Sequence, residues 1–390
     1  MDIFVTSIGL VSAAGNGIEE NLLSLQSGRT GIQQSEPSGL MLGEVLMSNA
    51  SIVSSYQLPP ADYSRTTLLG IVAATEAWGS SRTVDSSLRT GIVSSTSVGG
   101  LDRMEAYYFE GKRANHQQTH PMMTHDNGGT TEHIARALGI SGHIGTISTA
   151  CSSGANAIMQ GARMILANKL DRVLVGGVDP LAHFNINGFR SLGIYDPAHC
   201  RPFDASRSGL NLGEGAAYLV LENAESMKRM ASQPICRLTG WNNSTDAYHQ
   251  TASSANGKGA ALAMERALKK ADLTPSAIDY LNAHGTGTRN NDLSESMAIR
   301  RIFGDQIPPF SSTKAFTGHT LAAAGAIEAV YCVLAIEHGS IFPNLNFATA
   351  MEETALIPAT RSLNGQRLQH VLSNSFGFGG NCSSLIFSNL

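Results

Sequence analysis

Four side chains of this sequence offer nucleophilic, hydrogen-bonding and cationic chemistry, and Cys151 has the sharpest local context. It lies in the run TACSSGA, residues 149–155, where a strand-like apolar stretch gives way to small residues and then to an Ala-rich helical pattern. This predicts a tight strand-to-helix turn with the cysteine at a helix N-terminus, where unpaired N–H groups and the helix dipole lower the pKa of the thiol. The small neighbours leave room for a bulky acyl group. By itself, the segment also fits a buried cysteine that packs as a small hydrophobe.

The other three side chains, His284, Lys314 and His319, follow predicted strands. His284 lies in NAHGTGT at 282–288, and Lys314 and His319 lie in STKAFTGHT at 312–320, a loop that leads into a helix. A histidine is more often a structural residue than a catalyst, but these two sit among Gly and Thr rather than on an apolar helical face. The carboxyl ends of parallel strands are where open α/β sheets place their chemistry.

A glycine-rich segment, NSFGFGG at 374–380, lies between two β-patterned stretches. Glycine at three of its last four positions lets the backbone approach a ligand or move as a flap, and the rings of Phe376 and Phe378 add apolar surface. An ordinary glycine-rich hairpin is the alternative for this segment taken alone.

Short β-branched runs alternate with longer helical patterns along the chain, which is typical of crossover units around parallel strands. The two halves share a coarse order of strand, small-residue loop and Ala-rich helix, which favours a duplication with a boundary near residues 225–235. The predicted strands are 3–9, 90–96, 143–150, 171–179, 214–222, 235–242, 278–283, 308–313, 369–375 and 383–388, and the predicted helices are 66–80, 152–169, 257–271, 291–304 and 320–339.

Composition excludes several classes of protein. With 390 residues, 42% hydrophobic and 15% charged, and 40 glycines, the chain predicts closely packed α/β layers in two core-bearing units or one duplicated fold. The net charge of −4 provides no cationic field for nucleic acid. The sequence contains no uninterrupted run of about 18 apolar residues, so no membrane-spanning helix is predicted. An acid at position 2 argues against a secretory signal. Five widely spaced cysteines without a C-x-x-C pair favour neither disulfides nor a metal site, so we expect a reduced, cytoplasmic protein.

Together, these segments resemble the elongating β-ketoacyl-acyl-carrier-protein synthases, members of the thiolase-like fold. The Cys, His, His and Lys set separates this branch from the initiating synthases, which use Cys, His and Asn. The resemblance implies a five-layer αβαβα fold of two duplicated halves, with the cysteine in 1–230 and the His/Lys/His set and glycine-rich loop in 231–390. The six motifs that carry it are TACSSGAN, RPFDASRSGLNLGEGAAYLVLE at 201–222, STDAYHQT at 244–251, NAHGTGTRNNDLSE at 282–295, STKAFTGHTLAAAGAIE at 312–328 and NSFGFGG.

The resemblance implies a decarboxylative Claisen condensation, in fatty acid or polyketide and polyene synthesis. Cys151 would carry the acyl chain as a thioester, and malonyl carrier protein would lose CO2. His284 and His319 would hydrogen-bond the resulting enolate oxygen, while Lys314 keeps both imidazoles neutral. The backbone N–H groups of Cys151 and Phe378 would form the oxyanion hole.

Further residues take supporting roles by resemblance only. Glu295 would pair with Lys314, and Phe378 would be the aromatic that closes over the acyl-cysteine. The chain departs from the family pattern at Arg289, where proline is common, and at 381–382, where Asn-Cys replaces Thr-Asn. The implied sets are Thr251, Thr286 and Thr288 for the pantetheine arm; Phe376, Gly377, Phe378, Gly379 and Gly380 for the gating loop, with Asp246 on a second mobile loop; and Arg65, Lys112, Arg113 and Arg201 for an acidic carrier protein.

The implied partners are acyl- and malonyl-loaded acyl carrier protein, and a second subunit that makes a homodimer or a heterodimer with a related ketosynthase or chain-length-factor-like chain. The resemblance implies no cofactor beyond the 4′-phosphopantetheine of the carrier. The alternatives are a catalytic ketosynthase subunit of such a heterodimer, a noncatalytic chain-length partner, which lacks the nucleophile that Cys151 provides, a cysteine hydrolase, and a carrier-binding scaffold with an inert thiol.

Overall fold

The computed structural model describes residues 2–36, 38–79, 85, 87–114 and 126–390, with the side chains of all of these except 110–114. Most strands of the described chain belong to one extended sheet, and the three short strands β3, β4 and β8 form a separate one. The strands are β1 Phe4–Ser12, β2 Gly15–Asn16, β3 Gln33–Gln34, β4 Met41–Gly43, β5 Thr90–Ser95, β6 His143–Ile147, β7 Arg172–Asp179, β8 Leu212–Gly213, β9 Gly215–Glu222, β10 Cys236–Thr245, β11 Tyr280–Asn282, β12 Phe310–Ser311, β13 His370–Gly377 and β14 Asn381–Ser388.

The large sheet repeats one topology twice. The first half has the spatial order β6–β5–β7–β9–β1 and the second has β12–β11–β13–β14–β10, the same order once each half is numbered along its own chain. In both halves the first two pairings are parallel and the last two antiparallel. The halves meet where β1 pairs antiparallel with β10, with Phe4 opposite Arg237. This repetition is the duplication expected from the sequence.

The helices of the described chain are α1 Ile18–Ser27, α2 Asn49–Ser55, α3 Arg65–Trp78, α4 Leu101–Ala114, α5 Asn127–Leu138, α6 Ser153–Leu166, α7 His183–Ser191, α8 Ala224–Met230, α9 Lys258–Ala271, α10 Arg289–Phe303, α11 Lys314–Thr317 and α12 Ala324–His338. Helices cover both faces of each half of the large sheet and fill the space between the halves. α6 and α12 pack against each other and against strands of both halves, α3 packs on β1, β7 and β9, and α9 packs on β10 and β14. The predicted five-layer, thiolase-like arrangement is therefore confirmed.

α12 is the central core helix. Its sequence is apolar on every side, and such a helix is stable only when it is buried all round. The segment 321–338 is long and apolar enough to cross a membrane, but 89% of it is buried inside the protein. The predicted helix at 320–339 starts later than expected because Leu321 adopts a left-handed φ of 53°, so its first turn is a separate 3-10 helix, Leu321–Ala323.

All ten predicted strands and all five predicted helices are present, with shifted ends. The sequence patterns missed α1, α2, α4, α5, α7, α8 and α11. α5, with the sequence NGGTTEHIARAL, shows why: two glycines and two threonines give it weak intrinsic helix propensity. Its buried side chains, such as Ile134, stabilise it through tertiary packing instead.

We predict that Gly154→Ala lowers the free energy of unfolding by about 1–3 kcal/mol, because overpacking forces backbone shifts. A Cβ at this position would lie 2.6 Å from the Ala326 backbone nitrogen, where α6 crosses α12. Gly129→Ala in α5 is the matched control, since a Cβ there meets nothing within 4 Å, and it should be neutral or stabilising by up to about 1 kcal/mol. Urea unfolding measures both; equal effects would contradict the close crossing.

Candidate active site

The backbone presents Cys151 at the N-terminus of α6, as the sequence predicts. Ala150 adopts a left-handed φ of 53°, which is uncommon for a residue with a Cβ, and this sharp turn reverses the chain between β6 and the helix. Ser152 is the N-cap residue of α6. The Cys151 thiol is 6% exposed and lines a cavity of about 350 Å³.

The ionisation of Cys151 differs from the expectation. Burial raises the pKa of its thiol to about 12, although the Lys314 cation and the Phe378 N–H, which hydrogen-bonds the sulfur, act in the opposite direction. The prediction of a lowered pKa is therefore wrong. The loss of water around the thiolate outweighs the helix end and the nearby positive charge.

The hydrogen bonds of the two imidazoles fix their tautomers. The Lys314 ammonium nitrogen lies 3.1 Å from His284 Nδ1, and the Leu321 backbone N–H donates to His319 Nδ1 at 3.3 Å. Ammonium and backbone N–H groups only donate, so Nδ1 of each ring must accept. A neutral imidazole that accepts at Nδ1 carries its hydrogen at Nε2, so each ring has an Nε2–H donor left for a ligand.

Both imidazoles are neutral at physiological pH. The pKa of His284 is lowered well below its usual value first by burial, then by the Lys314 cation and by His319. The pKa of His319 is lowered in the same direction by burial and then by Lys314. The expected effect of Lys314 on the histidines is therefore confirmed in direction, and burial is the larger cause.

The carboxylate that pairs with Lys314 is Glu328, and the predicted pairing with Glu295 is wrong. The Lys314 ammonium donates to Glu328 and, at 2.5 Å, to the backbone carbonyl of His284. Glu295, from α10, instead accepts hydrogen bonds from the backbone N–H groups of His284 at 2.9 Å and Gly285 at 2.8 Å. Its carboxylate thereby holds the loop that carries the histidine.

Both acids are fully buried, and burial raises the pKa of each to about 7. The Lys314 cation lowers the pKa of Glu328 against this effect of burial, and the two backbone N–H donors do the same for the pKa of Glu295. The sequence does contain an indication that Glu328 has a buried partner, because it is a lone acid inside the apolar run LAAAGAIEAVYCVLAI. An acid at such a position needs a buried partner.

Most of the residues predicted for the site share the cavity of Cys151. The hydroxyls of Thr286 and Thr288 lie 2.9 Å apart in its wall. Gly379 and Asp246 are not among the residues that line the cavity. The predicted residues that line it are Cys151, Thr251, His284, Thr286, Thr288, His319, Phe376, Gly377, Phe378 and Gly380.

The two predicted loops are joined to each other. The Asp246 N–H donates to the Gly380 carbonyl at 2.8 Å, and the Gly379 N–H donates to the Gln250 carbonyl at 2.7 Å. The Asp246 carboxylate in turn accepts the Ser254 N–H at 2.6 Å. The loop that carries Thr251 therefore supports the backbone of the gating loop.

Asn381 connects the end of the gating loop to the turn that carries Cys151. Its side-chain oxygen accepts hydrogen bonds from the Ser152 hydroxyl and the Asn156 amide, each at 2.8 Å. This departure from the family pattern thus has a structural role next to the nucleophile. Phe189 of α7 also lines the cavity, and nothing in its sequence context indicated that.

The four residues predicted to contact the carrier protein differ in how far the structure leaves them available to a partner. Arg65 is wrong as a docking residue, because its guanidinium pairs with Glu214 at 2.7 Å and its side chain is only 15% exposed. Arg201 pairs with Asp196 at 3.1 Å and is 31% exposed, which leaves only part of it for a partner. The side chains of Lys112 and Arg113 lie outside the described residues. Arg289, by contrast, is exposed and lines the cavity.

We predict that Lys314→Met raises the pKa of His284 and His319 but leaves both below the ordinary histidine value, because burial is the larger cause. Imidazole NMR titration from about pH 4 to 8 measures this. Lys228→Met, at an exposed lysine of α8, is the control. Unchanged or lower histidine pKa values in Lys314→Met would contradict the electrostatic role.

Comparison with known proteins agrees with this geometry. The β-ketoacyl synthase N-terminal domain matches residues 1–226 and the C-terminal domain matches residues 235–348. 3-Oxoacyl-[acyl-carrier-protein] synthase 2 of Staphylococcus aureus (strain COL) is 31% identical, over 99% of this chain and 97% of its own. A putative polyketide beta-ketoacyl synthase 1 of Streptomyces cyaneus is 33% identical over 99% and 97%.

The solved structure of the ishigamide ketosynthase/chain length factor superposes with a TM-score of 0.93 at 29% identity, covering 100% of this chain and 99% of the other. Because both family domains match and a relative aligns over nearly the whole length, this protein belongs to the β-ketoacyl synthase family.

Proposed function

We propose that the protein joins an acyl chain on Cys151 to malonyl-acyl carrier protein by decarboxylative Claisen condensation. The observation that carries this proposal is the pair of neutral imidazoles, His284 and His319, whose Nε2–H groups are left as donors in the cavity of the thiol. Two neutral donors suit an oxygen that becomes negative only during the reaction.

In the first half-reaction, Cys151 sulfur attacks the thioester carbonyl of acyl carrier protein. The bond from the acyl carbon to the pantetheine sulfur breaks, and the proton of the Cys151 thiol ends on that departing sulfur. The N–H groups of Cys151 and Phe378 stabilise the tetrahedral oxyanion. A thiol with its pKa raised by burial can follow this route, since it needs no lasting thiolate.

In the second half-reaction, the carbon–carbon bond to the malonyl carboxylate breaks and its electrons form an enolate as CO2 leaves. His284 and His319 hydrogen-bond the enolate oxygen. The enolate carbon then attacks the thioester carbonyl carbon on Cys151, the bond from that carbon to the Cys151 sulfur breaks, and the departing thiolate takes a proton from water. We propose that no cofactor takes part beyond the pantetheine arm, which the hydroxyls of Thr251, Thr286 and Thr288 would bind.

The proposed partner is acyl carrier protein, as the name of the staphylococcal relative indicates for that enzyme. We propose a dimer with a second copy or with a chain-length-factor-like subunit, and the similarity to the ishigamide ketosynthase/chain length factor favours the second arrangement. A cytoplasmic location is also proposed, since all five cysteines are free thiols.

The rival functions fit the site less well. A cysteine hydrolase would use Cys151 and one histidine. It would leave Lys314, the second histidine and the phenylalanine–glycine loop without a role. A noncatalytic chain-length partner or a scaffold would have no use for Cys151 in the cavity. An assay with carrier-bound acyl donors of varied length and unsaturation, with and without a partner subunit, tests the proposal.

Cys151→Ala should lower condensation by more than about a thousandfold because the acyl acceptor is removed. Cys151→Gln should also fail to condense yet still decarboxylate malonyl carrier protein, since the imidazoles remain. Product analysis by mass spectrometry and CO2 release measure the two steps. Chain extension by Cys151→Ala would exclude the proposed role.

In the Cys151→Gln protein, a further His284→Ala or His319→Ala change should slow decarboxylation by about 10²–10³-fold, the effect of losing one oxyanion donor. His338→Ala is the control, because this histidine is exposed at the end of α12. Full decarboxylation without either imidazole would count against enolate stabilisation by these two groups.

A further inference from the structure

An aromatic side chain outside the predicted gating loop contacts the gate. The ring of Phe189 stacks on Phe378, with centroids 5.5 Å apart and an interplanar angle of 21°. Phe189 also meets His319 edge to face, with centroids 6.4 Å apart. It lines the same cavity as Cys151. One ring therefore contacts both the gate and an imidazole of the site.

The backbone and the ring of the gate have different contacts. Hydrogen bonds to Asp246 and Gln250 hold the backbone of the gating loop. Gly379 and Gly380 follow the phenylalanine with φ of 81° and 80°, a region that glycine enters without strain, and a Cβ on Gly379 would meet nothing within 4 Å. There is thus open space beside Gly379, and Phe189 supplies an apolar face against Phe378.

Phe189 lies on α7, a helix whose N-terminus has no side-chain cap of its own. Another phenylalanine of this helix, Phe184, is 64% exposed to solvent. The N-cap residue of α7, Ala182, has no side chain that can accept a hydrogen bond. Glu105 of α4 substitutes by accepting the N–H groups of His183 at 2.9 Å and Phe184 at 2.6 Å. The N-terminus of α7, the helix that carries Phe189, is therefore joined to α4.

We propose that Phe189 is a second gating side chain, which holds Phe378 closed over Cys151 until an entering acyl group separates the two rings. Phe189 is thus a positioning residue that controls access to the thiol. The inference rests on the proposed function only in that Cys151 is the atom to be reached.

A stacked aromatic pair contributes enough stability to shift an open–closed equilibrium about two- to tenfold. Phe189→Ala should therefore increase the labelling rate of Cys151 by about that factor. The increase should hold for a small reagent, iodoacetamide, and for a long one, N-dodecylmaleimide, since an open gate admits both. Phe189→Tyr keeps the ring and should label at the wild-type rate.

The experiment measures the labelling of Cys151 by peptide mass spectrometry in the full-length wild type, Phe189→Ala, Phe189→Leu and Phe189→Tyr. Phe184→Ala is the control, because it removes the same side chain from the exposed face of the same helix. Phe189→Leu fills more of the space without stacking and should lie between alanine and wild type, which keeps the test available if the alanine variant does not fold. The midpoint of the pH profile of labelling should stay unchanged.

Acceleration with the long reagent alone would overturn the proposal, since it would make Phe189 only a wall of the cavity. Equal rates in Phe189→Ala and wild type, or an equal effect of Phe184→Ala, would also overturn it. Labelling requires no carrier protein or malonyl group. Failure of the gate and failure of the condensation activity are therefore distinguishable.

Discussion

The buried ammonium of Lys314 is the charge on which the rest of the site depends. It lies among His284 Nδ1, the His284 carbonyl and the Glu328 carboxylate. A cation at this depth requires a paired acid because its desolvation is expensive, and α12 supplies that acid from the core. The same cation opposes protonation of both imidazoles and directs the tautomer of one of them. This ammonium thus sets the hydrogen-bond direction of His284 and adds to the effect of burial on the charge of both rings.

The scaffold explains why four groups from distant parts of the sequence meet. Each half of the duplicated fold follows its third strand with a turn and a helix: β6 leads through Cys151 into α6, and β12 leads through Lys314 and His319 towards α12. The two helices cross between the sheets, with Gly154 allowing close approach. Cys151 and the segment with Lys314 and His319 therefore follow equivalent strands of the two halves, and His284 reaches the same cavity from the end of β11.

Burial has opposite effects on the two kinds of group at the site. It keeps the imidazoles neutral, which suits donors to an enolate, but it also keeps the Cys151 thiol protonated. The cavity thus holds the nucleophile as a thiol, and the proposed first half-reaction passes its proton to the departing sulfur. The stacked pair of Phe189 and Phe378 lies in the same cavity, where the proposed gate controls access to this thiol.

The sequence could predict the residues that motifs place at strand ends, including Cys151 and His284. It could not predict which acid pairs with Lys314, because Glu295 lies on the helix before this lysine and Glu328 on a helix after it, and only the packing of α10 and α12 decides between them. The prediction that Arg65 contacts the carrier protein was wrong for the same reason, because its ion-pair partner Glu214 lies far from it in the sequence. The prediction of a lowered thiol pKa was wrong because the position of Cys151 at a helix N-terminus can be read from the local sequence, whereas its burial depends on the assembled fold.

The central claim, that both imidazoles are neutral and carry their hydrogen at Nε2, can be observed directly by neutron diffraction from a deuterium-exchanged crystal near neutral pH. The account predicts deuterium on Nε2 and none on Nδ1 in both His284 and His319, with three deuterons on the Lys314 nitrogen. Deuterium on Nδ1 of either ring would contradict the account.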